Sequence, residues 1–208
     1  MTMKLYEVPK TPNSIKIHAV GYELDIQFQS VPVDLFGGEG RSKTYLEKNP
    51  NGKVPVLEIA AGDYLWESNA ILGYLVAQRP KSTLMPHDAR GQSRVNQWLF
   101  WQGAHWAPAF GKIVYERVFK PKYDLGKIDE ATIATGFEEL KRFATVLDSN
   151  LKQNEYVAGD VTIADFSLAS QLYWRTEGKI DIAAWPNIER WIKQMEARQS
   201  WKFATGNK

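Results

Sequence analysis

Hydrophobic positions within residues 1–80 switch between the spacing of strands and the spacing of helices. Short apolar runs typical of strands occur at residues 4–8, 28–33, 56–59 and 64–66. Two stripes of apolar residues spaced three and four apart indicate helices: Ile17, Val20 and Leu24, and later Ile71, Leu72 and Leu75. With a short helical stretch near 42–48, the order β-α-β-α-β-β-α predicts a mixed sheet with helices on its faces.

The rest of the chain shows helical spacing and no convincing strand. Helices are predicted at residues 90–115 and 132–151, from Val161–Thr162 onward, and around Ile188–Met195. A polar segment that contains Pro80 and Pro86 precedes them. We therefore predict an α/β domain at residues 1–80 and an all-α domain at residues 88–208, joined by a linker at residues 81–87.

One helix start in the second domain has a full structural explanation. Thr162 can cap the helix while Asp165 reaches back to the cap, which is a variant of the capping box. Val161 can pack against Phe166 as a hydrophobic staple. We therefore predict that Asp165 is a structural residue.

Residues 49–57 combine a turn signal with an apolar run that contains a proline. Asn51-Gly52 predicts a tight turn. Pro55 cannot donate a ladder hydrogen bond, which places Val54-Pro55 at the start of a strand. The sharp bend into the strand favours a cis Val54-Pro55 peptide bond. Such a bend leaves the N–H and C=O of Val54 available to pair with an extended peptide ligand.

Two other segments place hydroxyl groups at predicted helix starts. Ser68 follows Glu67 where a strand gives way to a helix, and backbone N–H groups at such a start can bind a carboxylate. Thr11 precedes Pro12, which fits an N-cap followed by proline at the first helical position. Both hydroxyls also have a plain structural interpretation as N-caps.

Charge and hydropathy exclude several classes of partner. The formal net charge is +2 and the basic residues form no stripe, so we expect no nucleic-acid partner. No apolar run approaches the ~18 residues of a membrane span. The first residues also lack a signal-like apolar region. We therefore expect no membrane association and a cytoplasmic location.

The chain contains no cysteine, which excludes disulfides, zinc–thiolate sites and a cysteine nucleophile. His18, His87 and His105 are isolated and lack metal-ligand spacing, so we expect no metal. Any thiol chemistry must therefore belong to a ligand.

Two motifs in combination, Asn49-Pro-Asn-Gly-Lys-Val-Pro-Val-Leu57 and Trp66-Glu-Ser-Asn-Ala-Ile71, resemble those of a cytosolic-type glutathione transferase. Thr11-Pro-Asn13 resembles the bacterial and fungal Nu-class (disulfide-bond reductase-like) members, with Ser14 in place of their usual glycine. The resemblance implies a thioredoxin-like glutathione-binding domain followed by an all-helical domain, and a homodimer. It also implies glutathione as co-substrate and a small electrophile or a disulfide as partner substrate.

The first of the implied roles concerns the sulfur of glutathione. The resemblance places Thr11, Asn13 and Ser14 near the sulfur and leaves open which of the three contacts it. A free thiol has a pKa of ~8.5, and hydrogen-bond donors at a helix N-terminus favour its thiolate form.

The remaining implied roles concern the two ends of glutathione. Ser68 holds the γ-glutamyl carboxylate and Glu67 meets the α-amino group. Lys53 and Arg41 are candidates for pairing with the glycyl carboxylate, and for both the plain alternative is a solvated surface charge.

Aromatic residues are frequent in the first long helical region of the second domain. Their commonest role is core packing. The resemblance implies that this region faces the sulfur site, which makes Trp106, Phe110 and Tyr115 candidates for an apolar second-substrate pocket.

We therefore expect an enzyme that binds glutathione as a thiolate for conjugation to a small electrophile or for reduction of a disulfide or peroxide. Catalysis would rest mainly on proximity and thiolate stabilisation. The alternative from another class is a non-catalytic binding or interaction module with the same fold.

Overall fold

The computed structural model describes residues 2–206, which divide into two compact units. The first unit runs from the N-terminus to Ser82 and takes in the segment that begins at Arg198. The second unit is Thr83–Ala197. The domain limits predicted from sequence, at 1–80, 81–87 and 88–208, stay predictions. The structure groups the segment that begins at Arg198 with the first unit, whereas the sequence-based limits place it in the second domain.

The first unit is built on one mixed sheet, as the hydrophobic pattern predicts. Its elements are β1 (Met3–Glu7), α1 (Pro12–Glu23), β2 (Phe28–Pro32), α2 (Lys43–Leu46), β3 (Val56–Ala60), β4 (Asp63–Trp66) and α3 (Ser68–Ala77). The strand order is β2-β1-β3-β4, with β1 and β2 parallel and the other neighbours antiparallel. The edge position of β2 accommodates Pro32, which cannot donate a ladder hydrogen bond. The thioredoxin-like prediction for this unit is confirmed.

A helix that sequence reasoning missed, α10 (Gln199–Thr205), packs against α1. Arg198 at its start donates from Nε to Glu23 Oε1 at 2.8 Å, and Ser200 donates to the same oxygen. Trp201 is buried, and Trp201 and Thr205 lie four positions apart on one helix face. That spacing was the available signal, but a helix this short gives too few repeats of the pattern to be recognised.

The second unit is all-helical, as predicted. Its helices are α4 (Ala89–Trp101), α5 (Ala107–Val114), α6 (Lys120–Tyr123), α7 (Glu130–Leu151), α8 (Ile163–Ala169) and α9 (Pro186–Ala197). Two π-helical segments, Gln102–Trp106 and Tyr115–Phe119, join α4, α5 and α6. Each precedes a helix with proline in its first turn, where the missing N–H and the ring disfavour regular α-helical bonding.

The longest helix, α7, shows how the second unit buries one face of each helix. Ile133, Leu140 and Leu147 are buried on one side, while the residues between them are mostly exposed. In α9, Ile188, Trp191, Ile192 and Met195 form the predicted buried stripe. Over residues 2–206, no helix combines the length and apolar character needed to cross a bilayer.

The start of α8 is closed by its own side chains. Asp165 is fully buried, and its Oδ1 accepts hydrogen bonds from Val157 N and Trp191 Nε1, each at 3.0 Å. Its Oδ2 accepts from Thr162 N at 2.9 Å and from the Thr162 hydroxyl at 3.2 Å. Burial raises the pKa of Asp165 to about 6, although these donors act in the opposite direction. The predicted capping box and the structural role of Asp165 are confirmed.

Candidate functional site

The turn at residues 49–55 holds the main chain in front of β3. The Val54-Pro55 peptide bond is cis, as predicted. Asn49 is buried, and its Nδ2 donates to the Lys53 carbonyl at 2.7 Å. The Tyr45 hydroxyl donates to the same carbonyl at 3.0 Å. Because β3 begins at Val56, the peptide groups of Val54 lie outside the ladder that joins β3 to β1.

A close approach of two glycines brings the segments that carry Arg41 and Lys53 together. A Cβ atom at Gly52 would lie 2.7 Å from the Gly40 carbonyl oxygen, and one at Gly40 would lie 2.6 Å from the Gly52 oxygen. Gly52 also has a φ of +62°, which side chains rarely adopt. Arg41 and Lys53 are both exposed and, within residues 2–206, neither forms an ion pair. The predicted binders of the glycyl carboxylate are therefore exposed cations on two segments whose backbones approach closely at Gly40 and Gly52.

At the start of α1, the hydroxyl of Thr11 does not cap the helix. It donates to the Val8 carbonyl at 2.9 Å and lies 3.2 Å from the Ser14 hydroxyl. Ser14 is fully buried and its hydroxyl lies 3.0 Å from the Val8 carbonyl. Both hydroxyls are therefore directed to the protein's own backbone, and that of Thr11 is the more accessible.

The structure joins two of the predicted site residues across helices α1 and α3. The Ser68 hydroxyl donates to Asn13 Oδ1 at 3.2 Å. The amide oxygen of Asn13 is thus occupied, and its NH2 group remains the donor that a ligand could use. Thr11, Asn13, Glu67 and Ser68 all belong to the first two turns of these helices or to their N-caps.

The start of α3 lacks a side-chain cap. Glu67 occupies the N-cap position with φ 68° and ψ 108°, outside the regions that a non-glycine residue normally occupies. The side chain of Glu67 makes no capping hydrogen bond to the first N–H groups of this helix. Glu67 itself is exposed, so its carboxylate can reach a ligand. An uncapped helix start with an adjacent hydroxyl can bind a carboxylate, and a carboxylate beside it can bind an ammonium group.

Lys16 is a further polar member of this cluster that sequence reasoning missed. It lies between Ile15 and Ile17 in α1, is fully buried, and donates from Nζ to Asn69 Oδ1 at 2.7 Å. Burial lowers the pKa of Lys16 to about 7, and the Glu67 carboxylate opposes this shift. The available signal was a lysine inside an apolar helical run, one turn after Asn13.

The side chain of Tyr6, on the strand before α1, is held by contacts within the first unit. Its hydroxyl already donates to Glu58 Oε2 at 3.1 Å. Partial burial, together with the Glu58 carboxylate, raises the pKa of Tyr6 to about 12. The ring packs edge-on against Tyr64 with centroids 6.3 Å apart.

The three aromatic candidates for a second-substrate pocket occupy different environments. Trp106 is fully buried, donates from Nε1 to the Leu168 carbonyl at 3.1 Å, and stacks on Trp101. Phe110 is also buried and packs against Trp106 with ring centroids 4.8 Å apart. Core packing thus accounts for both side chains. Tyr115, with 42% of its surface exposed, is the candidate whose ring is open to a ligand.

Within residues 2–206, no three His, Asp or Glu residues are grouped so that they could hold a metal ion. The polar residues instead form two clusters in the first unit. One is the pair of segments packed at Gly40 and Gly52 that carry the cations Arg41 and Lys53, and the other combines a helix start with the carboxylate of Glu67. Such a pair of clusters suits a peptide-like ligand with carboxylates at both ends and an amino group at one.

Comparison with known proteins matches both units. The model of the "Glutathione S-transferase, N-terminal domain" matches residues 1–77, and that of the "Glutathione S-transferase, C-terminal domain" matches residues 105–199. A possible glutathione S-transferase from Rhodopseudomonas palustris has a similar structure, with a TM-score of 0.87, 31% identity, and coverage of 96% of this chain and 88% of that chain. A glutathione S-transferase from Pseudomonas fluorescens gives a TM-score of 0.87 at 27% identity, covering 96% and 97% of the two chains. A glutathione S-transferase of Hyoscyamus muticus is 29% identical over 98% of both chains.

Proposed function

This chain belongs to the glutathione S-transferase family, and from that premise we propose that it binds glutathione across the two polar clusters of the first unit and conjugates it, through its thiolate sulfur, to a small electrophile. The observation that carries the proposal is the start of α3. There an uncapped helix terminus, the Ser68 hydroxyl and the Glu67 carboxylate together match the α-carboxylate and α-amino groups of the γ-glutamyl residue.

The sulfur is assigned to the start of α1. The side-chain nitrogen of Asn13 is the best-placed donor, because the Ser68 hydroxyl already engages its oxygen. The Thr11 hydroxyl can join it after rotating away from the Val8 carbonyl. Ser14, which is buried, supports this turn rather than the sulfur. Each unit by which the thiol pKa falls requires ~1.4 kcal/mol of extra thiolate stabilisation.

The middle and the glycyl end of glutathione are assigned to the turn before β3. Val54 offers its peptide groups next to a cis proline, as strand addition requires. Arg41 and Lys53 supply the positive charge for the glycyl carboxylate. Because both side chains are exposed, each ion pair should contribute modestly to binding.

Calorimetric titration with glutathione tests the assignment directly. Wild-type protein should bind in the micromolar to millimolar range, and Ser68→Ala should weaken binding by about tenfold, since a hydrogen bond to a charged group is worth roughly 1.5–3 kcal/mol. Ser93→Ala, which removes an exposed serine hydroxyl of α4, is the matched control and should bind like wild type. Absence of binding in the wild type would favour a non-catalytic interaction module.

Disulfide reduction is the second candidate reaction, and it goes together with membership of the Nu class. It is favoured by the complete absence of protein cysteine together with Thr11-Pro-Asn13. Turnover of chlorodinitrobenzene and of hydroxyethyl disulfide separates the two reactions. Strong turnover of the aromatic electrophile alone would support conjugation and count against the reductase variant, and a hydroperoxide assay tests the peroxidase variant.

The second substrate and the homodimer are further parts of the proposal. Tyr115 is the aromatic side chain we assign to the electrophile, because Trp106 and Phe110 are buried in the core of the second unit. Phe100 on α4, 77% exposed, is an apolar side chain that a second copy could cover. Light scattering on wild type and Phe100→Ser would test that contact, with a dimer expected only in the wild type.

A further inference from the structure

We propose that Lys16 is a positioning and specificity-determining residue whose buried ammonium group selects ligands bearing the γ-glutamyl α-carboxylate. The inference rests on the proposed function, because it concerns the same end of the same ligand. It adds a cationic group to a site whose other polar groups are the Ser68 hydroxyl, the Asn13 amide and the Glu67 carboxylate.

The geometry places Lys16 directly behind the turn that would hold the carboxylate. Its Nζ donates to Asn69 Oδ1, and Asn69 follows Ser68 at the start of α3. One turn earlier in α1, Asn13 accepts the hydrogen bond from Ser68. Residues three apart on α1 thus contact consecutive residues on α3, which fixes Ser68 and Asn69 relative to α1.

A buried ammonium is costly, so its presence needs a compensating charge. Taking an ammonium group out of water is unfavourable unless an opposite charge lies near it. Glu67 supplies a negative charge from the β4–α3 junction, but its side chain is exposed and is also the partner assigned to the ligand's amino group. A ligand carboxylate at Ser68 would add a second negative charge beside the site and so favour the protonated lysine.

Three other charged groups on or near α1 make contacts away from Lys16. Glu7 on β1 accepts from His18 Nε2 at 2.8 Å, and Glu23 accepts from Arg198 at the start of α10. Lys4 on β1 pairs with Glu58. The helix α3 carries no ionisable acid or base apart from Tyr74. Glu67 is a protein carboxylate whose charge raises the pKa of Lys16 before a ligand binds.

These contacts predict that binding is linked to protonation of Lys16. In the free protein the pKa of Lys16 is about 7. A bound carboxylate raises that pKa, so the bound protein holds more protons than the free protein just above neutral pH. Affinity is then greatest below pH ~7 and falls as the pH rises through and above that value.

The wild-type protein tests this with S-methylglutathione, which has no titrating thiol. Calorimetry in two buffers of different ionisation enthalpy measures proton uptake between about pH 6 and about pH 8, where only groups with pKa values near neutrality titrate. We expect net uptake near pH 7.5 with S-methylglutathione. We expect less uptake with the S-methyl derivative of γ-aminobutyryl-cysteinylglycine, which lacks the α-carboxylate. Equal uptake with the two ligands would overturn the inference.

Two variants supply an independent readout. Lys16→Met should weaken binding of S-methylglutathione at about pH 6.5 by about tenfold or more, since one partner of a buried charge pair is lost. It should also abolish the pH dependence and leave the analogue without the carboxylate nearly unaffected. Lys16→Arg, which stays charged, should restore affinity without pH dependence. Lys4→Met removes a half-exposed lysine from the same unit and should behave like wild type.

The outcomes separate this inference from the proposed function. If wild type binds neither S-methylglutathione nor the analogue, the proposed function fails and the inference fails with it. If wild type binds S-methylglutathione and Lys16→Met binds it equally well with the same pH profile, only the role of Lys16 is overturned. If Lys16→Met weakens both ligands equally, Lys16 acts as a structural residue and does not read the carboxylate.

Discussion

The helices α1 and α3 of the first unit begin differently from α4, α7 and α8 of the second unit. In the second unit, α4 and α7 are capped by Asp88 and Asp129, and α8 by a capping box. In the first unit, α1 and α3 begin with Thr11 and Glu67, whose side chains cap neither helix. The N–H groups at the start of a helix need acceptors from a side chain, water or a ligand.

Thr11 and Thr162 make this comparison sharp, because both precede a helix. The Thr162 hydroxyl is buried and bonded to Asp165 within its own helix start. The Thr11 hydroxyl lies half-buried and points back to the strand that precedes α1. One residue type thus serves stability in the second unit and leaves a helix terminus available in the first. Local rules are commonly broken at functional sites, and here both breaks fall in the proposed glutathione site.

The largest expected effect is on the start of α8, which its own capping box closes. Asp165→Ala leaves the Val157, Thr162 and Trp191 donors without their buried acceptor, and each unsatisfied donor carries a desolvation penalty. We expect a loss of about 3 kcal/mol or more in the free energy of unfolding, measured by urea denaturation. Asp160→Ala, at an exposed position nearby, should leave stability within ~0.5 kcal/mol of wild type.

Substitutions at the start of α1, which no N-cap side chain closes, should change catalysis instead. Asn13→Asp keeps an oxygen for the Ser68 hydroxyl but removes the N–H donors, so we expect the pKa of bound glutathione to rise and turnover to fall by about tenfold or more. Thiolate absorbance as a function of pH measures the first effect, and initial rates measure the second. An unchanged thiol pKa would remove Asn13 from the sulfur site.

The buried Lys16 predicts that the free energy of unfolding depends on pH. The pKa of Lys16 is depressed in the folded protein to about 7, from its ordinary 10.5. Between pH 7 and pH 10.5 the unfolded chain therefore binds more protons than the folded protein. The free energy of unfolding rises with pH above 7, and this gain is lost as the pH falls to 7. Relative to Lys16→Met, wild type should gain about 1 kcal/mol per pH unit above pH 7.5, by urea denaturation. If the free energies of unfolding of wild type and Lys16→Met changed with pH in parallel, the burial of the Lys16 ammonium group would be contradicted.

The smallest effect distinguishes the two threonines. Thr162→Ala should cost about 1 kcal/mol of stability, the usual value of a helix cap. Thr11→Ala should cost only a few tenths of a kcal/mol, because its hydroxyl caps no helix, while lowering glutathione turnover. Chemical denaturation and initial rates on both variants provide the measurements. Equal losses of stability would show that the two threonines stabilise their helix starts equally.

Sequence patterns predicted the elements whose information is local. The sheet of the first unit, the cis Val54-Pro55 bond and the Thr162 capping box each follow from a few neighbouring residues. The candidate site residues near a helix start or a turn, such as Ser68 and Lys53, also come from local motifs, and their roles stay predictions. Features that depend on contacts distant in sequence were missed.

Three such features show why. The burial of Lys16 depends on Asn69, fifty-three positions later, and the packing of Gly40 depends on Gly52 across a loop. The helix α10 depends on a surface of α1 for its apolar side, so its seven residues carry too little pattern on their own. Trp106 and Phe110 were candidates for a pocket because the resemblance implied that their helical region faces the sulfur site. The fold buries both, and aromatic composition does not distinguish a core face from an open one.

The contrast between open and closed helix starts is tested most directly by following backbone amide resonances during titration with glutathione. We expect saturable shifts of the Ser68 and Asn69 amides and of the Asn13 side-chain amide, with the amides of Thr162 and Asp165 unmoved. Saturation without any shift at Ser68 and Asn69 would show that glutathione binds elsewhere or not at all, and would contradict the assignment of the open helix starts to the ligand.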